Sequence, residues 1–185
     1  MIVRHGETEW SRSGQHTGRS DIPLDDAGRA RARRLAGVLA QWHFTAVYTS
    51  PLSRARETCA LAGFGAAQVV SDLLEWDYGA YEGLTTPQIR EQHPGWVLWR
   101  DGVPGGETLE DVAARADRVV ALTDEVEGDV LLVSHGHVLR VLTARWLQMP
   151  PAAGQRFFLA TGAPSELGYE HDWSVMRRWN IDGVS

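Results

Sequence analysis

The sequence predicts an α/β protein of three layers: a mainly parallel central sheet flanked by helices, with a short lid insertion. Three observations carry that expectation. Apolar runs of strand length alternate with segments of helical apolar spacing along most of the chain, the pattern of parallel strands joined by crossover helices. The run DVLLVS at 129–134 is almost continuously apolar, as a central strand covered on both faces requires. No internal repeat, low-complexity tract or linker divides the 185 residues, so a single domain over 1–185 is expected.

The elements follow in order. Ile2-Val3 leading into Arg4-His5-Gly6 reads as a very short strand entering a glycine turn. A buried first strand is usually longer, so the start either lies upstream of Met1 or has been trimmed. GQHTGRSDIP, at 14–23, is a polar loop. A helix is expected from Asp25 to Trp42, with Ala27, Ala30, Leu35, Val38, Leu39 and Trp42 on one face and arginines opposite. Asp25 and Asp26 stand where caps and first-turn negative charge are favoured. TAVYTS, at 45–50, is strand-like, and Pro51 suits the first turn of the helix that carries Arg54 and Arg56. AAQVVS at 66–71 is a third strand, and DLLEWDYGAYEGL at 72–84 an aromatic-rich irregular loop. The stretch 86–105, broken by Pro87, Pro94 and Pro104, is too irregular for a sheet and reads as the lid insertion. A helix from Thr108 to Val126 spaces Leu109, Val112, Ala116, Val119, Val120 and Val126 along one side. After DVLLVS, HVLRVLTARWLQM at 137–149 is helical, and strands return in QRFFLA (155–160), SELGYE (165–170) and WSVMRRWN (173–180).

Composition narrows the function classes. The formal charge of -6 argues against nonspecific nucleic-acid binding, which selects basic surfaces, but leaves room for a small anionic substrate drawn by a local field. No apolar run approaches the ~20 residues of a membrane span, and no signal-peptide pattern is present. The single cysteine, Cys59, has no partner for an internal disulfide, which makes a reducing cytoplasm the expected location. The eight tryptophans read as core and lid anchors.

In an open parallel sheet, ligands bind beyond the carboxyl ends of the strands. Arg4 and His5 follow the first strand, Arg54 the second, Glu75 the third and His135 the fourth. Arginine offers a rigid donor fork matched to phosphate oxygens. A neutral imidazole is a nucleophile near physiological pH. A carboxylic acid in a partly apolar surround, here beside Trp76, can hold a proton for a leaving oxygen. Together these make a phosphoryl-transfer site that needs no metal or cofactor. Singly, each has an ordinary structural reading: a hydrogen-bonded histidine, a solvated helix arginine, an exposed loop acid. His135-Gly136-His137 could also be a pair of metal ligands, but no carboxylate or cysteine cluster completes such a set. Their occurrence together at successive strand ends favours phosphate.

RHGETEW at 4–10, TSPLSRARET at 49–58, LLEWDYGAYEGL at 73–84, GGET at 105–108 and VSHGH at 133–137 resemble, in order and over nearly the whole chain, the histidine phosphatase superfamily with its phosphoglycerate-mutase-like fold. EWDYGAYEG with WRDG and GGET is most similar to its small acid phosphatases and sedoheptulose-bisphosphatase-like branch. The resemblance implies that His5 becomes the phosphohistidine. It makes Arg4, Arg54 and His135 the holders of the phosphoryl oxygens and Glu75 the residue that protonates the departing alcohol and then activates water. It places Thr17 and the Gly136 backbone along the substrate pocket, with Ser11 and Gly18 beside them; Tyr78 and His137, like Gln15, His16, Arg19, Trp96 and Trp99, are candidates to shape it, with packing or exposed polarity as their ordinary reading. Ser11 stands where the family often has Asn, so a pocket hydrogen bond is weakened or rerouted. Mutases of the family surround the proton donor with basic residues, whereas Trp76 and Asp77 stand here and the insertion has no paired arginines. Hydrolysis of small phosphorylated metabolites, sugar or glycolytic phosphates, is therefore expected ahead of a cofactor-dependent phosphoglycerate mutase or a protein phosphohistidine or phosphotyrosine phosphatase. A homodimer is among the assemblies left open.

Overall fold

The structure is a computed structural model and describes residues 1–181. Its strands are β1 (Ile2–Arg4), β2 (Phe44–Thr49), β3 (Gln68–Val69), β4 (Asp129–Ser134), β5 (Pro164–Glu170) and β6 (Trp173–Arg178). They form one sheet in the order β3-β2-β4-β1-β5-β6. The first four are mutually parallel; β5 runs antiparallel to β1, and β6 antiparallel to β5. Register decides where the site falls. Arg4 lies opposite Ser134 and Thr49 opposite Val133, so the next residues, His5, Ser50 and His135, leave the sheet at one rim. The His5 amide still donates to the Ser134 carbonyl at 2.8 Å, and the Ser50 amide to Val133 at 3.1 Å.

The helices are α1 (Glu9–Ser13), α2 (Asp26–Leu39), α3 (Ser53–Leu61), α4 (Thr86–Gln92), α5 (Leu98–Asp101), α6 (Leu109–Asp124) and α7 (Gly136–Trp146). Alternation along the strands divides the core into two layers. Val3, Leu131 and Val133 pack with Leu35 and Leu39 of α2 and Cys59 of α3. Ile2, Val130 and Leu132 face the other way, onto Val112, Ala116 and Val119 of α6 and Val138, Leu139 and Leu142 of α7. The expected three-layer α/β architecture is therefore present.

The expected details differ in places. Helix α2 buries Gly28, Ala32, Leu35 and Leu39, a stripe at helical spacing, and leaves Ala27 exposed. It stops at Leu39, so Trp42 lies beyond it, where its ring sits 5.5 Å under the Arg178 guanidinium. Helix α1 was not expected, because five residues are too few to display a period; a reciprocal cap between Thr8 and Ser11 forms it. The third strand shrinks to two residues at the sheet edge.

QRFFLA is not a strand. Pro151–Arg156 make a 3-10 turn, for which Pro151 is pre-set, and 157–160 are irregular. Side chains replace a strand partner for these carbonyls: Arg140 donates to Gly154 and Gln155, Trp179 and Asn180 to Phe158, and Arg4 to Leu159. In the 86–105 stretch, α4 and α5 form around a loop whose Trp96, with Ile89 and Leu98, joins the cluster of Tyr78 and Tyr81.

Candidate active site

At the rim defined by β1, β2 and β4 lies a cavity of about 290 Å³. Of the residues expected there, Arg4, His5, Ser11, Thr17, Glu75, Tyr78, Gly136 and His137 line it. Arg54, His135 and Gly18 are buried behind that lining. Among the further candidates, Gln15 and His16 line the cavity, while Arg19, Trp96 and Trp99 do not.

His5 is fixed by its own turn. Its Nδ1 lies 2.7 Å from the Gly6 carbonyl, which can only accept, so Nδ1 carries the proton and Nε2 the free lone pair. Burial and the neighbouring Arg54 and Arg4 charges push the imidazole well below its ordinary pKa, against a smaller opposing effect of the Gly6 hydrogen bond. The ring is therefore neutral at physiological pH. The turn is held by the Gly6 amide donating to Thr58 Oγ1 at 3.0 Å, and by Thr58 Oγ1 donating to the Arg54 carbonyl at 2.7 Å. It lies so close to the start of α2 that a Cβ on Gly6 would come 2.6 Å from the Gly28 carbonyl oxygen, and one on Gly28 2.1 Å from that of Glu7.

The two arginines differ. Arg4 donates from one terminal nitrogen to the Leu159 carbonyl at 2.9 Å, while its buried Nε has no partner and lies 3.3 Å from where a Gly136 Cβ would stand. An unmet buried donor on a cation is costly unless an anion meets it. Arg54 spends its fork on protein: it donates to the carbonyls of Ser20 (2.7 Å), Thr17 (3.1 Å) and Gly18 (2.9 Å), which sets the shape of the pocket loop. Its Nε donates to His135 Nδ1 at 3.2 Å. With Nδ1 accepting, His135 carries its proton on Nε2 and donates to Ser50 Oγ at 2.7 Å. Burial, with Arg54, His5 and Arg4 nearby, holds the His135 pKa well below its usual value. The His5 and His135 rings meet edge to face at 5.2 Å.

Glu75 reaches the first turn of α7. Its Oε1 accepts from the Trp76 and Val138 amides (2.9 and 2.8 Å), and its Oε2 from the His137 amide (2.9 Å). The Trp76 indole donates to the Glu107 carbonyl at 2.8 Å, and Trp76 and Glu75 are both buried. A Cβ on Gly136 would fall 3.7 Å from Oε2 and 3.4 Å from the Arg4 guanidinium carbon, so glycine keeps the space between acid and cation open.

Around the mouth, Ser11 spends its hydroxyl on the α1 cap, accepting from the Thr8 amide at 2.9 Å and donating to the Thr8 carbonyl at 3.0 Å. Thr17 donates to the Gln15 carbonyl, and the Gly18 amide donates to Glu82. Tyr78 and His137 lie 2.5 Å apart, Oη to Nδ1. Burial holds the phenol well above, and the imidazole well below, their usual pKa values, so the phenol donates and His137 keeps its proton on Nε2. His16 stacks on Tyr78 at 4.9 Å with an unpartnered Nε2, and burial lowers its pKa to about 4.

Sequence reasoning missed Arg140 and Phe158. Arg140 lines the cavity one helical turn beyond Gly136, a spacing that would have placed both on one face, and its guanidinium lies 4.9 Å over the Trp99 ring. Phe158, the most exposed large apolar side chain described, was hidden by the strand reading of QRFFLA. Among the described residues, no three His, Cys, Asp or Glu side chains form a group able to hold a metal ion.

Comparison with known proteins places the chain in a family. The family model described as histidine phosphatase superfamily (branch 1) matches residues 1–182. An acid phosphatase of Mycobacterium tuberculosis is 45% identical over 175 residues, covering 92% of this chain and 86% of that protein. A sedoheptulose 1,7-bisphosphatase of Saccharomyces cerevisiae is 35% identical over 179 residues, covering 79% of this chain and 66% of that protein. The solved structure of a Mycobacterium tuberculosis open reading frame superposes with a TM-score of 0.94 at 43% identity, covering 98% of this chain and 96% of the other.

Proposed function

This chain belongs to the histidine phosphatase superfamily, and from that premise we propose that it hydrolyses phosphate monoesters through a phosphohistidine formed on His5. It is a phosphoric monoester hydrolase acting on small phosphorylated metabolites. The observation that carries the mechanism is the pairing of a neutral His5, its Nε2 lone pair free, with the unpartnered Arg4 Nε beside it. A phosphoryl oxygen satisfies Arg4, and the buried Arg54 charge stabilises the dianion from beneath. His5 Nε2 forms a bond to phosphorus as the bond to the leaving oxygen breaks, and Glu75 delivers its proton to that oxygen. The Glu75 carboxylate then takes a proton from water, whose oxygen attacks the phosphohistidine, and phosphate departs with His5 restored. His137 Nε2, Arg140, His16 and Phe158 face the rest of the substrate.

Hydrolysis is supported over mutase transfer because Trp76 and Asp77, rather than basic residues, follow Glu75 in the chain. Trp76 is buried, and Asp77 spends a carboxylate oxygen on the Gly79 amide. A cytoplasmic location is the reading that a single cysteine, without a disulfide partner, supports; among the described residues no helix is long and apolar enough to cross a membrane. The 86–105 stretch is read as the lid, within one domain.

The test compares leaving groups. Glu75→Gln should slow hydrolysis of an alkyl phosphate by about 100-fold or more and of p-nitrophenyl phosphate far less, because p-nitrophenolate departs without a proton. His5→Ala should leave no phosphoenzyme in a rapid-quench experiment. Equal losses on both substrates remove the acid role from Glu75, and turnover by His5→Ala removes the phosphohistidine.

A further inference from the structure

The GGET motif at 105–108 has no place in the chemistry above, and Glu107 does not line the cavity. Its surroundings are nevertheless elaborate. Arg115, on the buried side of α6, pairs with Glu107 through two contacts, Nε to Oε1 at 2.7 Å and Nη2 to Oε2 at 2.9 Å. The same guanidinium donates to the carbonyls of Asp72 (2.7 Å), Leu74 (2.8 Å) and Glu75 (3.4 Å). From the other side, Glu107 Oε2 accepts from the Asp77 amide at 2.9 Å, and the Glu107 carbonyl accepts from the Trp76 indole at 2.8 Å. The glycine before it allows this approach: a Cβ on Gly106 would lie 2.2 Å from the Asp77 carbonyl oxygen. Arg19 adds a contact from the pocket loop, 3.2 Å from Glu107 Oε2.

Beyond a 3-10 turn at Ser71–Leu73, the segment 72–77 has no regular structure of its own to place a side chain. Its backbone is held at 72, 74 and 75 by Arg115 and at 77 by the Glu107 carboxylate, the Trp76 indole is held by the Glu107 carbonyl, and the Leu73 carbonyl is taken by Ser134. Glu75 is the residue at the centre of that grip. A buried ion pair is weak as a source of stability, since desolvation offsets its attraction, but one that also satisfies four backbone groups fixes a geometry.

We propose that Glu107 and Arg115 are positioning residues for the Glu75 carboxyl, clamping its segment from both sides so that the proton donor meets the leaving oxygen. The proposal rests on Glu75 being the acid. Proton delivery depends steeply on alignment, and displacements near an ångström cost about 100-fold in rate. A clamp that only stabilised the fold would leave leaving-group dependence unchanged.

The experiment measures kcat and kcat/KM of Glu107→Gln, Arg115→Met and Arg115→Lys on glycerol phosphate and on p-nitrophenyl phosphate, with Glu75→Gln alongside. Loss of about 10- to 100-fold is expected on glycerol phosphate, and within about threefold on p-nitrophenyl phosphate. Arg115→Lys, which keeps the charge but not the fork, should fall between wild type and Arg115→Met. If Arg115→Met does not fold, Arg115→Lys and Glu107→Gln carry the comparison. Equal losses on the two substrates, or an intact glycerol phosphate rate, overturn the clamp. If Glu75→Gln is selective for the poor leaving group while these variants are not, only the positioning falls. If Glu75→Gln also loses both equally, the acid assignment falls and the clamp with it.

Discussion

Removing one buried imidazole should flatten the acid side of the stability curve by a calculable amount. Burial holds His5, His135 and His137 well below the ordinary histidine pKa, with nearby arginines adding to the effect, and burial alone lowers His16 to about 4. The unfolded chain, with histidines near 6.5, takes up protons that the fold refuses, so stability is fully present above that value and declines as pH falls below it. Each ring that stays neutral in the fold costs about 1 kcal/mol between pH 6.5 and 5.5, and four rings about 4 kcal/mol. His137→Asn is the cleanest single change, because an amide oxygen can still accept from Tyr78 where Nδ1 does now. Urea unfolding at pH 7.5, 6.5 and 5.5 should show the variant losing about 1 kcal/mol less than wild type over the last unit. In thermal melts that is a difference of about 2–4 °C for a chain of this size. Carboxylates titrate in both proteins and cancel in the comparison. The same acid slope in both would mean that His137 takes up its proton in the folded state, which would refute the assignment of a neutral ring.

Gly28→Ala should destabilise by about 1–3 kcal/mol and lower kcat, since the new Cβ meets Glu7 backbone atoms at 2.1 and 2.6 Å and displaces the turn that orients His5; chemical denaturation with unchanged stability would contradict the close approach. Activity should survive exhaustive chelation, because proton transfer and charge stabilisation are assigned to side chains; a loss restored by added divalent metal would revive a metal-assisted reaction.

The rim was legible because it depends on local signals. Apolar runs ended on Arg4-His5 and on His135, and parallel strands deliver such ends to one edge whatever the rest of the chain does. Helices α6 and α7 were legible for a related reason, since long amphipathic periods survive most tertiary contexts. QRFFLA was misread because its β-prone residues carry no information about Arg140, Trp179, Asn180 and Arg4, the distant donors that satisfy its backbone. Propensity yields to partners of that kind.

The division of labour between the arginines was not legible for a deeper reason. Arg4 and Arg54 are the same residue type, one ending β1 and the other in the first turn of α3, and sequence assigns both to phosphate. What separates them is which donors the fold has already used: three carbonyls and a histidine nitrogen take up Arg54, while Arg4 is left with a buried Nε unmet. The same accounting separates the histidines. His5 surrenders Nδ1 to its own turn and leaves Nε2 free for the attack proposed above, whereas both nitrogens of His135 are engaged, by Arg54 and Ser50. Function at this rim is carried by the hydrogen-bonding capacity that folding leaves over. That remainder is a property of the tertiary structure, and no motif records it.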